Sequence, residues 1–451
     1  MYSYLAEKIV YPLGDMALGT SVVKYYHWLQ KTQWWPPEKL IELQNTKLQV
    51  LINHAYQNVP YYRRLCDERG LTDKDIQTVE DLAKLPILTK KDIRENFEQI
   101  RANDYKRWKP IPDATGGSTG EPLKYYITKD LASISWAGCF RWWSWSGYKI
   151  GDKRIKFGGS SLVPNKAPSL FELIRNKLER NLLLSSVSMN DAKYEKYINI
   201  INSYKPKYIY GYPSSMYLLA DYCRSHGINT VHFDAVFSTA EVLLPHYRTA
   251  IENQFQCKVS DGYGSYDGGG QASECEIHKG LHISVEKVIM EIVDENGRRL
   301  PPGKSGRIIV TDLHNYAMPF VRYEVGDTGV LSDKPCVCGR GLPILETLEG
   351  RITDIIRLSN GTTIAGLAIP HLFKDCHIKQ YQLLQVASDE IVIKIVKGIG
   401  YSDWDSQYIL NTLMHHAGKE TKIGFEFYEE LPVGPNGKYK FIMSNISNKE
   451  I

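Results

Sequence analysis

The sequence predicts a two-domain α/β protein. A large N-terminal α/β domain with a β subdomain spans residues 1–350, and a small α+β domain spans residues 351–451. Three observations carry this reading. Through the middle of the chain, apolar strand-like runs ending in polar residues alternate with helical stretches, the texture of a parallel sheet. From Val288 the strand-like runs crowd together, separated by turn chemistry at Glu295-Asn296-Gly297 and Pro301-Pro302-Gly303. From about Arg351 alternating strands surround one helix, a module of about 100 residues that suits a separate domain.

A chain of 451 residues exceeds one ordinary core. The net charge of +4, with no basic run, does not call for nucleic acid. No apolar run is long enough to span a bilayer, and Met1 to Thr20 carry Glu7, Lys8 and Asp15 rather than a secretory pattern. A cytoplasmic location is the resulting expectation.

In order, Val23 to Arg69 read as helix, interrupted at Pro60 in Asn58-Val59-Pro60-Tyr61-Tyr62. Asp81 to Lys90, with Leu85-Pro86-Ile87-Leu88, follows as a Pro-marked turn. Tyr125 to Thr128 is a short strand. Leu131 to Gly147 is a helix whose Trp136, Trp142, Trp143 and Trp145 read as core. Three buried strands follow, at Tyr208, at Val236 and at Val259, and Ser214 or Ser215 can cap the helix after the first. Val288–Val293 and Gly306–Thr311 form the β subdomain. In the last hundred residues Ile378–Ala387, Glu390–Lys397 and Ile423–Glu429 are strands and Trp404–His416 a helix.

The stretch with the clearest chemistry is Thr115-Gly116-Gly117-Ser118-Thr119-Gly120-Glu121-Pro122. It holds no large apolar side chain. Its glycines let backbone approach an anion, and its N–H groups and hydroxyls can converge on phosphate oxygens. It lacks the GK[ST] ending of a Walker loop. The alternative reading of the stretch by itself, and the weaker one, is a mobile Gly/Ser linker.

This stretch resembles the phosphate loop of the adenylate-forming (ANL) superfamily. Its Gly-Gly-Ser-Thr-Gly-Glu-Pro form is similar to that of the phenylacetate–coenzyme A ligase family and of its CapK-like branch in capsular polysaccharide biosynthesis. The resemblance runs from about Asn58 to Lys440 with the motifs in family order. It implies that Thr115, Gly116, Gly117, Ser118, Thr119 and Gly120 hold ATP phosphates. Tyr263-Gly264-Ser265-Tyr266-Asp267 resembles the family's Tyr-Gly-x-Thr-Glu. Tyr263, Gly264 and Tyr266 would then flank the adenine and Asp267 would ligate Mg²⁺. Asp267 and Tyr266 depart from the usual Glu and Thr; on residue type alone Asp267 also suits a solvated turn. Thr239-Ala240-Glu241 matches the strand end lying along the adenine.

Phe320 to Asp327 contains the family's Arg-Tyr-x-x-Gly-Asp, which implies that Asp327 binds the ribose hydroxyls. Gly350-Arg351-Ile352-Thr353-Asp354 resembles the interdomain hinge, with Arg351 reaching the nucleotide and Thr353 in place of the usual acid. Leu431 to Lys438 resembles the C-terminal Asn-Gly-Lys segment. Lys438 would bridge carboxylate and α-phosphate, with Lys440 the competing candidate and a plain hairpin the bland one. The implied small domain is a mobile lid.

Of eight cysteines, Cys66, Cys139, Cys223, Cys257 and Cys376 stand singly and read as small buried hydrophobes. Cys336 and Cys338, with Cys275 and either His278 or His282, offer a Cys₃His set typical of structural zinc. The Gly280-Leu281-His282 context resembles the family and favours His282; reduced thiols are the alternative.

The implied activity is an ATP-dependent, AMP-forming ligation of a small carboxylic acid, by default onto coenzyme A. The CapK-like resemblance allows an amine-bearing sugar as acceptor instead. The altered Tyr266-Asp267 pair allows a third reading, a non-catalytic scaffold of this fold.

Overall fold

One sheet of eleven strands runs through the protein and joins the two regions that the sequence presents as a core and an attached subdomain. The computed structural model describes residues 2–114, 123–159, 162–163, 167–186, 189, 191–265, 267–351, 355–358, 363–365, 376–418, 420–431 and 442–444. A small hairpin, β1 (Pro110–Ala114) and β2 (Lys124–Thr128), flanks residues 115–122. The parallel half contains β3 (Arg154–Gly158), β4 (Asn181–Ser185), β5 (Tyr208–Gly211), β6 (Ala235–Thr239) and β7 (Lys258–Gly264). The antiparallel half contains β8 (Gln271–Glu274), β9 (Leu281–Ile283), β10 (Val288–Val293), β11 (Ser305–Asp312), β12 (Tyr323–Leu331) and β13 (Ile344–Arg351). The order is β10-β11-β12-β13-β9-β8-β7-β6-β5-β3-β4. The halves fuse because the free edge of β7 pairs with β8, Gly262 opposite Ser273.

Side-chain alternation gives each strand two faces. Ile155, Ile209, Val236 and Val259 face the helices Asp191–Tyr204, Pro213–Ser225 and Pro245–Phe255. The opposite face carries Tyr210 and Phe237 against the Lys129–Ser144 helix, whose Trp142 and Trp143 are buried on them. Gly262 is required there, since a Cβ would lie 2.4 Å from the Trp142 ring. Trp136 and Trp145 are only partly buried, so the four tryptophans divide between core and accessible surface. Neither Ser214 nor Ser215 caps the Pro213–Ser225 helix: Tyr212 is the cap residue and Pro213 opens the first turn, where its missing N–H costs nothing. Cys66 and Cys223 are buried as expected, whereas Cys139, Cys257 and Cys376 are only partly so.

The N-terminal motifs act as anchors. Tyr62 donates to the Pro319 carbonyl (2.9 Å) and accepts from the Val321 N–H (3.0 Å). Leu88 and Tyr323 form a parallel bridge, with Leu88 N–H on the Arg322 carbonyl and Glu324 N–H on the Leu88 carbonyl. Arg322 is 2 % exposed, has φ +54°, and pairs with the buried Glu291 through two contacts of 3.2 Å. Its remaining donors reach the carbonyls of Leu85 and Gly297. These bonds fix where β12 begins, and hence where Asp327 lies.

Beyond β13 the chain forms a hairpin, β14 (Ile355–Arg357) with β15 (Thr363–Ala365), and a four-stranded sheet. The sheet holds β16 (Ile378–Ala387), β17 (Glu390–Lys397), β18 (Lys422–Tyr428) and β19 (Ile442–Ser444) in the order β18-β17-β16-β19. Leu383, Ile391, Ile393 and Ile395 pack against Ile409 and Leu413 of the Asp403–Ala417 helix, and Ile356 joins that core. Among the described residues no helix is long and apolar enough to cross a membrane.

Candidate functional site

Parallel strands leave their carboxyl ends at one edge of the sheet, where a chain that switches direction opens a crevice. Here β6 ends in Thr239-Ala240-Glu241 and β7 in Tyr263-Gly264, side by side, with Thr239 opposite Gly262. Ala240 has φ +70°, the left-handed region that disfavours a Cβ. Such strain persists where surrounding structure enforces it, and it clusters at ligand sites. Glu241 turns back and accepts the Ser214 N–H (3.2 Å) in the first turn of the Pro213–Ser225 helix, where a carboxylate is favoured. Gly264 has open space where a Cβ would be.

The residue that closes this edge comes from β12. Tyr263 donates its hydroxyl hydrogen bond to Asp327 Oδ2 at 2.7 Å, across 64 positions of sequence. Gly326 has φ +89°, a turn of backbone that glycine permits just before Asp327. Below this level, Ser238 donates to Asp261 Oδ1 (2.5 Å). Burial pushes the Asp261 carboxyl up to about 6, with Glu274 adding to the shift and Ser238 and Arg248 opposing it. Thus Thr239, Ala240, Glu241, Tyr263, Gly264 and Asp327 gather at one sheet edge.

Thr115, Gly116, Gly117, Ser118, Thr119, Gly120, Tyr266, Thr353, Asp354, Lys438 and Lys440 lie outside the described residues. Only the backbone is described at Asp267, in a short 3-10 turn after β7, and at Arg351, at the end of β13 opposite Asp327. Sequence reading missed Tyr62, Leu88, Arg322 and Glu291 as the supports of Asp327. The signal was available in the Pro-marked phrases, but their pairing with β12 is a long-range fact.

A second group lies in the antiparallel half. Cys275, His282, Cys336 and Cys338 bring one ligand atom each within 4.8 Å of one another. Cys275 Sγ and Cys336 Sγ are 3.8 Å apart, and Cys338 Sγ is 3.3 Å from His282 Nε2. A tetrahedral ion with bonds of about 2.3 Å to sulfur spaces its sulfurs at about 3.8 Å, so the set fits zinc. His282 Nδ1 faces the Leu342 carbonyl (3.3 Å), which leaves Nε2 as the ligating atom. Burial pushes the His282 imidazole down to about 4 and so keeps it neutral. His278 instead lies 3.0 Å from Glu274. Arg340 pairs with Glu276 and lies over Trp145, closing the far side.

Comparison with known proteins agrees with this architecture. Residues 356–445 match the family model for the CapK C-terminal domain. The chain is similar to protein CapK of Staphylococcus aureus, 28 % identical over 417 residues, covering 90 % of each chain. It is 28 % identical to the phenylacetate–coenzyme A ligase of Thermus thermophilus, covering 71 % of this chain and 72 % of that one. Among solved structures it is similar in fold to 2-hydroxyisobutyryl-CoA ligase in its postadenylation state. The TM-score there is 0.75 at 19 % identity, covering 92 % of each chain.

Proposed function

We propose that this chain, a relative of CapK and of the phenylacetate–coenzyme A ligases in the adenylate-forming superfamily, is an ATP-dependent, AMP-forming acid ligase. The observation that carries the reading is the Tyr263–Asp327 hydrogen bond beside the strained Ala240. It unites three separate motifs of the nucleotide site at one edge. Asp327 then accepts from the ribose hydroxyls, Tyr263 packs on the adenine, and Thr239-Ala240-Glu241 borders it. The residues assigned by motif alone are the 115–120 loop for the phosphates, Asp267 for Mg²⁺, Arg351 for the nucleotide and Lys438 for the carboxylate and α-phosphate. A carboxylate oxygen attacks the α-phosphorus, pyrophosphate leaves, and positive charge and N–H donors offset the charge that develops.

The same reading divides the chain at residue 350, with 351–451 as the closing domain. Two features support it: β13 ends in the large sheet at Arg351, and Ile356 packs into the small core. Zinc held by Cys275, His282, Cys336 and Cys338 is structural, tying the β8–β9 hairpin to the turn between β12 and β13.

The test is ATP–pyrophosphate exchange with a panel of carboxylic acids, followed by addition of coenzyme A. Acid-dependent exchange is expected, with thioester formed on adding coenzyme A. Exchange without thioester favours an amine acceptor such as an amino sugar, a reading supported by the more extensive similarity to CapK. Absence of exchange with every acid leaves the scaffold reading.

A further inference from the structure

Two helices carry their side chains the wrong way round for water. Tyr2–Leu5, Ala6–Val10 and Tyr11–Leu18 run on as one helical stretch with a π turn in the middle. Its inner side seats Ala6 and Tyr11 in an aromatic cluster with Phe140 and Tyr148, and Ser3 donates to Asp152 (2.9 Å). Its outer side carries Tyr4, Leu5, Ile9, Leu13 and Met16. The Leu170–Leu178 helix, which leads into the edge strand β4, buries none of its side chains. Polar groups here turn to the protein. Asn176 accepts from Asn181 (3.0 Å), and Glu179, just past the helix end, pairs with Arg154 (3.0 Å). Leu170, Phe171, Leu173, Ile174 and Leu178 are left outside. All of these outer apolar side chains, on both helices, are between 43 % and 74 % exposed.

A surface helix ordinarily turns its apolar stripe inward. A short helix is marginal in water unless one face is buried, however good its caps. The Leu170–Leu178 helix has the cap, since Ser169 and Glu172 each accept the other's backbone N–H, but it lacks the burial. Scattered exposed leucines need no explanation, whereas two joined stripes do. The helices are joined at their ends: Tyr2 donates its hydroxyl to the Leu178 carbonyl (2.6 Å), and the Arg180 guanidinium lies 3.5 Å over the Tyr2 ring.

The charges at the margin point to what covers this face. Glu7 pairs with Lys8 (3.1 Å), and Asp15 accepts from the Thr20 hydroxyl and the Val23 N–H. Glu172 caps its own helix, and Glu179 is held by Arg154 and Arg175. Every acid of the two segments is thus occupied within the protein. Lys177 is exposed, and Arg180 sits at the junction. Exposed Lys149 adjoins the first helix through Asp152, which accepts from both Ser3 and the Lys149 N–H. Cations at the margin and tyrosines at the apolar boundary suit a bilayer interface with anionic headgroups. A two-fold contact between copies would bring this margin against itself, with no acid left over to answer the cations.

We infer that this face docks the protein on the surface of an anionic lipid bilayer. Both helices lie in the interface plane with their outer apolar side chains among the acyl chains. Lys149, Lys177 and Arg180 pair with headgroup phosphates. The inference concerns where the protein works and stands apart from the ligase reading.

The experiment is flotation of the full chain with vesicles of phosphatidylcholine alone or mixed with phosphatidylglycerol, at low and high salt. Wild type should float with the mixed vesicles, and less so at high salt. The triple variant Leu5→Gln, Ile9→Gln, Leu13→Gln and the double variant Phe171→Gln, Ile174→Gln should each weaken partitioning by about tenfold or more, through the apolar surface they withdraw. Their Tm should change little, since these side chains stand largely outside the fold. If the glutamine variants do lose Tm, Lys149→Glu combined with Lys177→Glu decides: it must weaken flotation with the mixed vesicles, and unchanged flotation overturns the inference. Failure of wild type to float, equal flotation with both compositions, or flotation that folded glutamine variants retain overturns it too. A wild-type dimer in sedimentation velocity that the glutamine variants split, without vesicle binding, overturns it in favour of a second copy.

Discussion

Asp327 and Arg322 stand five residues apart in one motif yet do different work. Asp327 accepts from Tyr263 at the accessible strand edge, whereas Arg322 is buried on Glu291. Asp327→Ala should cut kcat/KM for ATP by about 10²-fold in pyrophosphate exchange, the loss of two hydrogen bonds to a charged acceptor. Tyr263→Phe should cost about 1 kcal/mol, a fewfold effect. Arg322→Met strands a buried carboxylate and should lower stability to urea by about 3–5 kcal/mol. Its folded fraction should also bind ATP more weakly than wild type, because Arg322 helps to hold the start of β12 and so the position of Asp327. Asp261 supplies a pH test. Its folded pKa is raised to about 6, so its stabilising share is complete below about pH 4 and lost as pH rises through 6. Asp261→Asn should therefore gain stability relative to wild type between pH 4 and 7, by on the order of 2 kcal/mol, in parallel urea titrations. An advantage that shrinks over that range would contradict the assignment.

At the scale of elements, the Cys₃His group joins β-strands that the main hydrogen-bond ladder holds only briefly. β9 has three residues, and its pairing with β13 covers two positions. A metal link there should matter more than its size suggests. Purified protein should contain about one equivalent of zinc by elemental analysis. Cys336→Ser should lose the metal and lower the Tm by several degrees, and a strong chelator should do the same to wild type without modifying the thiols. Zinc-free wild type with an unchanged Tm would remove the structural role. Residue types and the short Cys336–Cys338 spacing were enough to nominate the ligand set, with His278 and His282 as the alternatives for its histidine. The fold separates them: His282 lies on β9 facing Cys338, and His278 sits in the preceding turn with φ +53° against Glu274.

At the scale of the whole molecule, the proposed ligase must join a site on the large sheet to a lysine on the small domain. Saturating ATP with a productive acid should raise the Tm by several degrees and slow proteolytic cleavage between the domains, since a ligand that binds only the native state stabilises it. Unchanged cleavage with a raised Tm would argue for a nucleotide site without domain closure. The local sequence was sufficient for much of this fold. Val288–Val293, Ile378–Ala387 and Glu390–Lys397 begin and end where apolar periodicity and turn residues place them, because strand formation there follows nearest neighbours. Motif order was likewise enough to nominate Asp327 and Tyr263. Only the tertiary structure decided that the two halves share one sheet and that Tyr62 and Leu88 hold the start of β12. Each of these depends on contacts between residues far apart in the chain. Residue type limits which such contacts can form, and packing selects among them.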